Sequence, residues 1–237
     1  MSGILGICIG DASTAPGINV AETERATAIT LGEAVREFFS YPSPRILAPV
    51  TVATVASLFF FGRWRWWDLG VAAIILGLEP LTEWLVHVHL LHFRPRKIGG
   101  RSVDLFLATK HRAHHRDPRD ARLVFVPLRA LVPGLAVSAI VWLLAAPRSV
   151  ALSALTASFG MLSLYEWTHF LIHTSYRPRG RLYRYVWRAH RLHHYRNEHY
   201  WFGVTIHLAD HLLGTFPDKD AVPVSPTART LGIDVAA

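Results

Sequence analysis

The run ALVPGLAVSAIVWLLAAP, residues 130–147, holds 18 residues without a charge; after Arg148, SVALSALTASFGMLSLY at 149–165 holds 17 more. A bilayer crossing takes about 20 predominantly apolar residues, with about 17 as the lower limit. The pair therefore reads as a helical hairpin spanning a membrane. A second pair lies upstream. Ile46–Gly62 is 17 residues without a charge, and Leu69–Leu78 runs ten before Glu79, continuing apolar to about Leu91. The expected fold is an all-α integral membrane protein with two transmembrane hairpins, four helices in total. The histidine-rich connections would form a helical cap over them. A soluble chain with an unusually apolar helical core is the alternative.

Composition agrees. Hydrophobic residues make up 51% of the 237, charged residues 18%, and the mean hydropathy is +0.25, which excludes disorder for most of the chain. One cysteine, Cys8, has no partner and excludes a disulfide scaffold. The net charge of +8 comes from 25 basic against 17 acidic residues, and on an apolar chain it points to anionic lipid more than to nucleic acid. Lysine occurs only at Lys97, Lys110 and Lys219; the arginine and alanine richness suggests a GC-rich bacterial genome. If both ends lie on one side, that side holds 22 basic residues and the other holds Arg63, Arg65 and Arg148. By the positive-inside rule the termini and the histidine-bearing connections are cytoplasmic, at a bacterial cytoplasmic membrane.

Around the hairpins, residues 1–45 form a lead-in, 46–216 the membrane domain and 217–237 an irregular tail with Pro217, Pro223 and Pro226. Residues 1–10 lack the basic start of a signal peptide. Thr30-Leu-Gly-Glu33 is a capping box opening a short helix through Phe39. Its Leu31, Val35, Phe38 and Phe39 would lie on the membrane surface, and Tyr41-Pro-Ser-Pro44 would stop it.

The chemistry is carried by a repeat. The first half reads Glu83-Trp84, His87, His92, Arg94-Pro-Arg96, then His111-Arg-Ala-His114-His115. The second reads Glu166-Trp167, His169, His173, Arg177-Pro-Arg179, then His190-Arg-Leu-His193-His194. Ten of fourteen histidines fall in it, five per half, which suggests a pseudo-two-fold site between the halves. At about 100° per residue, His169 and His173 point within about 40° of each other, and each triplet falls within an arc of about 100°. His87 and His92 are the awkward pair, about 140° apart on an α-helix; either the helix bulges or ends there, or His89 replaces one of them. Imidazoles suit zinc, copper, iron or nickel, and ten are too many for one ion and about right for two. Glu83 and Glu166, with Asp120 and Asp210 as weaker candidates, could orient the imidazoles from behind. Tyr200, Trp201 and Phe202 could line a lipid entrance. His89, His199, His207 and His211 fall outside the repeat and suit surface or hydrogen-bonding roles. The arginine runs read most simply as headgroup contacts, and more sharply as docking for an acidic electron donor.

Lys110-His-Arg-Ala-His-His-Arg-Asp-Pro-Arg-Asp-Ala-Arg-Leu-Val-Phe-Val-Pro127 resembles the fatty acid hydroxylase superfamily, which includes sterol desaturases and sterol methyl oxidases. So does His190-Arg-Leu-His-His-Tyr-Arg-Asn-Glu-His-Tyr-Trp-Phe-Gly203, followed by Asp210 and Gly214-Thr215. The resemblance covers roughly residues 80–216, and its nearest look is to the fatty acid 2-hydroxylase branch. It implies a non-haem di-iron centre with its metal ligands on His87, His92, His111, His114, His115, His169, His173, His190, His193 and His194. It also implies O2 as co-substrate, a lipid acyl chain as substrate and two electrons from a separate ferredoxin- or cytochrome-type donor; zinc could replace iron on isolation. Sterol or carotenoid hydroxylation or desaturation is the neighbouring reading. A metal- or haem-binding membrane carrier is the reading from another class, but a transporter would place its ligands near the membrane midplane.

Overall fold

The computed structural model describes residues 28–62 and 65–233. Cys8, Arg63 and the expectation for residues 1–10 lie outside them. The fold is all-α and largely membrane-embedded. Three helical stretches are long and apolar enough to cross a membrane: Pro42–Phe61, Trp66–Leu91 and Ala121–Ala145.

Helix α1, Leu31–Phe38, opens on the expected capping box. The Glu33 amide donates to Thr30 Oγ1 (3.2 Å), and the Thr30 amide donates to Glu33 Oε2 (2.8 Å). Its apolar face differs from the expectation. Phe38 is buried with Ala34, whereas Leu31, Val35 and Phe39 are exposed. Phe38 is drawn inward by an aromatic shelf, its ring centroid lying 5.0 Å from Trp167, 5.5 Å from Phe170 and 5.7 Å from Phe125.

The Pro-Ser-Pro stretch ends α1 and also starts α2, Pro42–Phe61. Proline at a first helical position gives up an amide that has no partner there in any case, so α2 begins four residues before the uncharged run. Helix α3, Trp66–Leu85, continues into a π-helical turn, Val86–Leu91. Two three-residue strands, Arg96–Ile98 and Arg101–Val103, pair antiparallel, a small addition to the helical expectation. Gly99 and Gly100 both take positive φ (56° and 78°), which a two-residue hairpin turn of this twist requires.

Helix α4, Phe106–Arg116, carries the first triplet. Helices α5, Leu128–Ala145, and α6, Arg148–His173, follow, then α7, Arg181–Tyr195, with the second triplet, and a short α8, Leu208–Leu212.

Helix α6 organises the bundle. It packs against α2, α3 and α5, and both α2 and α3 lean on it more than on each other. Its first half buries Ala151, Ala154 and Leu155, small and aliphatic residues that let neighbours approach closely. Thr51 Oγ1 meets Ser163 Oγ at 3.0 Å across the α2–α6 contact. Helix α6, which the sequence leads one to expect as a span, is not among the three apolar stretches because Ser149, Ser153, Thr156, Ser158, Ser163 and Glu166 make it more polar than its neighbours. The far end of α6, with α4, α7 and residues 196–233, encloses the histidines.

Candidate metal centre

The π-helical turn settles the awkward pair. The His92 amide donates to the His87 carbonyl (3.0 Å), a bond to the fifth residue back that widens the helix. Residues five apart then share a face, and the two rings sit 5.0 Å apart. His89 turns away, exposed, with its ring near Trp84. The helix bulges, and His89 lies outside both groups of converging rings.

All ten repeat histidines converge, in two groups. His87, His92, His111, His115 and His193 bring one nitrogen each within 4.8 Å of one another, and so do His114, His169, His173, His190 and His194. Each group takes four rings from one half and one from the other. Neighbouring histidines on one triplet, His114 and His115 or His193 and His194, point into different groups. The groups share a wall, where His115 and His194 stack at 4.2 Å between centroids.

Hydrogen bonds fix several ring tautomers. Nδ1 of His87 faces the Phe202 carbonyl (2.6 Å), that of His115 the Ala228 carbonyl (2.8 Å), that of His193 the Tyr200 carbonyl (2.8 Å) and that of His169 the Val124 carbonyl (2.9 Å). A carbonyl oxygen only accepts, so each Nδ1 carries the proton and each Nε2 offers a lone pair. Yet His193 Nε2 lies 3.2 Å from His115 Nε2, and His111 Nε2 lies 3.1 Å from those of His87 and His115.

Burial keeps these rings neutral. It holds His111, His114, His115, His190 and His194 well below the usual imidazole range, and neighbouring imidazoles add to the effect. Burial likewise pushes His193 down to about 4, against the bond to the Tyr200 carbonyl. In the second group both nitrogens of His114 and Nε2 of His169 and His173 are buried without a hydrogen-bond partner. His115 and His193, both protonated on Nδ1, thus face each other with lone pairs 3.2 Å apart, an arrangement that repels unless a cation sits between them. The donor set, imidazole throughout, fits a pair of first-row transition-metal ions.

The acidic candidates act at one remove. Glu83 is buried and accepts from the Val204 and Thr205 amides and from the Thr205 hydroxyl (2.5 Å). It thereby clamps the loop whose Phe202 carbonyl orients His87, on its own helix. Glu166 does the same in the second half, accepting from Ser43 Oγ (2.5 Å) and the Val126 amide (3.1 Å), next to the Val124 carbonyl that orients His169. Neither carboxylate bonds an imidazole of the two groups. Backbone carbonyls do that, because a loop must pass between carboxylate and ring.

Asp210 braces the same loop as Glu83, accepting from the Phe202 amide (3.0 Å), the Gly203 amide (2.8 Å) and Thr215 Oγ1 (2.6 Å). Burial opposes its ionisation, but these bonds and that from His207 hold its carboxyl below the usual range. Asp120 pairs instead with exposed Arg122 at 2.8 Å.

Gly203 shows how closely the loop is packed: a Cβ there would meet His207 Nδ1 at 2.8 Å and the Ile206 carbonyl at 2.9 Å. Gly203→Ala should therefore cost on the order of 2 kcal/mol, seen as a lower melting temperature and looser metal binding in a thermal-shift assay with and without chelator.

Trp201 and Phe202 do not line a lipid entrance. Trp201 is buried with its amide bonded to the Thr215 carbonyl (2.8 Å). Phe202 packs behind His87, His92 and His193, about 5.5 Å from each ring. Phe202 is backing for the imidazoles, whereas Trp201 packs with Ala189 and Val222, and the tightly braced loop turns both inward. Among the other histidines, His207 is buried and bonded to Asp210 (2.8 Å), whereas exposed His211 meets the Tyr185 hydroxyl (2.7 Å) and exposed His199 lies beside Glu198 (3.5 Å).

Among the described residues, openings reach the centre from two sides. An apolar cavity of about 380 Å³ between α3, α6 and residues 123–127 is walled by Ile75, Val86, Leu107, Met161 and Leu162, and ends on His87, His111 and His169. Its Leu123–Pro127 wall lies inside the motif quoted above, but nothing in that run marks a cavity. On another side a cleft lined with arginine reaches His173.

The tail also takes part. The Ser225 amide donates to the Arg196 carbonyl (2.7 Å), and Thr227 Oγ1 to Glu198 Oε1 (2.5 Å). These anchors place the Ala228 carbonyl on His115, a role without any signal in the sequence.

Known proteins resemble much of the chain. The fatty acid 2-hydroxylase of Rattus norvegicus is 30% identical over 159 residues, 65% of this chain and 41% of its own. That of Homo sapiens is 28% identical over 191 residues, 78% of this chain and 46% of its own. Dihydroceramide fatty acyl 2-hydroxylase FAH2 of Arabidopsis thaliana is 28% identical over 138 residues, 58% of this chain and 56% of its own. The chain thus spans about half the length of the curated relatives it matches. A solved structure described as full-length scs7p, with only the hydroxylase domain visible, superposes with a TM-score of 0.64 at 21% identity, over 77% of this chain and 68% of that one, a likeness of fold. The sequence profile of the fatty acid hydroxylase family matches residues 72–215, which contain all ten converging histidines, and the chain belongs to that family.

Proposed function

We propose that the protein is a membrane-bound non-haem di-iron oxygenase that hydroxylates a lipid acyl chain. The observation carrying this reading is the convergence of bare imidazole lone pairs in two adjoining groups at the end of an apolar cavity. His87, His92, His111, His115 and His193 would hold one iron, and His114, His169, His173, His190 and His194 the other. When bound, the irons supply reductive activation of O2, which makes an unactivated C–H bond reactive. The balance is one C–H bond and one O2, with two electrons and two protons, giving one alcohol and one water. A separate one-electron donor protein would supply the electrons.

The chain's own residues bind, orient and exclude. The cavity wall takes up methylenes, each worth about 0.8 kcal/mol on burial. Shortening a substrate by one methylene should therefore lower kcat/KM roughly fourfold while the chain still lies within the cavity. Met161→Trp should fill the cavity and lower kcat/KM at least tenfold with metal content unchanged; loss of metal in that variant would show that the wall is part of the centre. The bracing carbonyls hold the imidazoles neutral and aimed inward, and the buried surroundings keep bulk water from the reacting carbon.

Four crossings fit this reading. Helix α6 has 26 residues, about 39 Å at 1.5 Å per residue, against a hydrocarbon core of about 30 Å. The arrangement would be two hairpins in sequence, with the histidine-bearing end and both termini in the cytoplasm, as the arginine distribution favours.

The test joins metal content per chain, on detergent-purified protein from iron-supplemented cells, with lipid analysis of the producing strain against a vector control. About two irons per chain and a lipid that gains one oxygen are expected. A lipid that loses two hydrogens would make the enzyme a desaturase; bound haem, or no metal in folded protein, would overturn the reading.

A further inference from the structure

We propose that the arginine-lined cleft over His173 is the docking site of an acidic one-electron carrier protein; this rests on the oxygenase reading. The cleft lies between the end of α6, the last turn of α1 with Ile29 ahead of it, and the outer face of α7. Arg184, Arg188 and Arg191 follow one another at intervals of four and three, one stripe of α7, while His190, His193 and His194 occupy its buried face. Arg119 completes the rim from the α4–α5 connection. Arg119, Arg184, Arg188 and Arg191 form no ion pair with an acidic side chain among the described residues. Glu37 is the one acidic residue among those described in the lining. Arginines gathered without acidic partners repel one another, and a partner bearing carboxylates relieves that repulsion.

Position distinguishes this patch from the chain's other basic surface. His169 and His173 are one turn apart on α6: the first ends the apolar cavity, the second floors the cleft. Lipid and carrier thus approach the same group of imidazoles from different sides, so a carrier can come and go while the acyl chain stays in place. Arg191 stacks over Trp187 (4.7 Å) and Tyr195 (5.2 Å), which gives the rim a fixed, partly aromatic surface of the kind that protein interfaces favour. Each docking delivers one electron, so two dockings with two protons complete the reduction of O2 alongside one hydroxylation.

The test measures binding of a plant-type ferredoxin to the metal-loaded, detergent-solubilised protein by biolayer interferometry at low and high salt. Binding should weaken with salt, and the double variant R184E/R188E should weaken it at least tenfold with metal content intact. In turnover the same variant should raise KM for ferredoxin by a similar factor and change kcat little. Arg101→Glu, on the exposed β-hairpin, should leave both unchanged. Undiminished ferredoxin binding by R184E/R188E would overturn the proposal. So would equal loss of binding to phosphatidylglycerol vesicles, which would make the cleft a headgroup site. Wild-type protein that binds ferredoxin yet forms no hydroxylated lipid with dithionite as reductant would instead overturn the oxygenase reading.

Discussion

His193→Ala should remove about one of the two metal ions from each chain and lower turnover by more than about a hundredfold, since outer partners of metal ligands alone are worth 10–100-fold. The ion lost should be the one held by the first half's rings. His193 sits on α7, whose other two repeat histidines face the second group, yet its Nε2 lies beside that of His115. His114→Ala should do the reverse, emptying the group built by the second half. Metal analysis of the two variants and their double mutant checks this: each single variant keeps about one ion and the double keeps almost none. His211→Ala is the contrast, because His211 is exposed, its ring meets the Tyr185 hydroxyl at 2.7 Å and it lies outside both groups. If His211→Ala strips the metal by itself, the ligand assignment is wrong.

Glu83→Ala should be nearly as damaging, by another route. It leaves the buried Val204 and Thr205 amides without an acceptor, at about 1–3 kcal/mol for each unsatisfied donor. It also frees the loop whose Phe202 carbonyl aims His87. Metal affinity should fall 10–100-fold, measured by competition with a chelator at a temperature where the variant is still folded. Glu83→Gln keeps an oxygen for the amides and should recover most of the stability but only part of the affinity. Glu166→Gln should behave likewise, folded but impaired. Wild-type metal affinity in Glu83→Ala, or full activity in Glu166→Gln, would show that these carboxylates do not transmit order to the imidazoles.

The ten converging histidines were legible because side-chain type and spacing carry the signal for a metal face, and the pattern occurs twice. The crossing of His114 and His193 between halves was not, since a triplet spacing of three and four fixes an arc on a helix but not the direction in which neighbouring rings part. The five-residue gap from His87 to His92 showed that a regular α-helix would fail there, and the π-turn is how the backbone meets the demand. The carbonyls of Val124, Tyr200, Phe202 and Ala228 could not be read at all, because every residue has a carbonyl and only the fold aims it. Trp201 and Phe202 misled for a related reason: aromatic rings beside a histidine motif suit a substrate channel and the backing of imidazoles equally well in sequence. Phe38 was placed on the wrong side of α1 because the shelf of Phe125, Trp167 and Phe170 that receives it comes from distant parts of the chain.

The carbonyl that orients His115 belongs to Ala228, 113 residues further along. During translation the three apolar stretches, Pro42–Phe61, Trp66–Leu91 and Ala121–Ala145, are all made before that carbonyl exists. The first group of imidazoles is therefore complete only near the end of synthesis, once His193 and then the Ala228 carbonyl have been made. Insertion of those stretches can thus precede the full ordering of the centre, which needs the tail closed over α4.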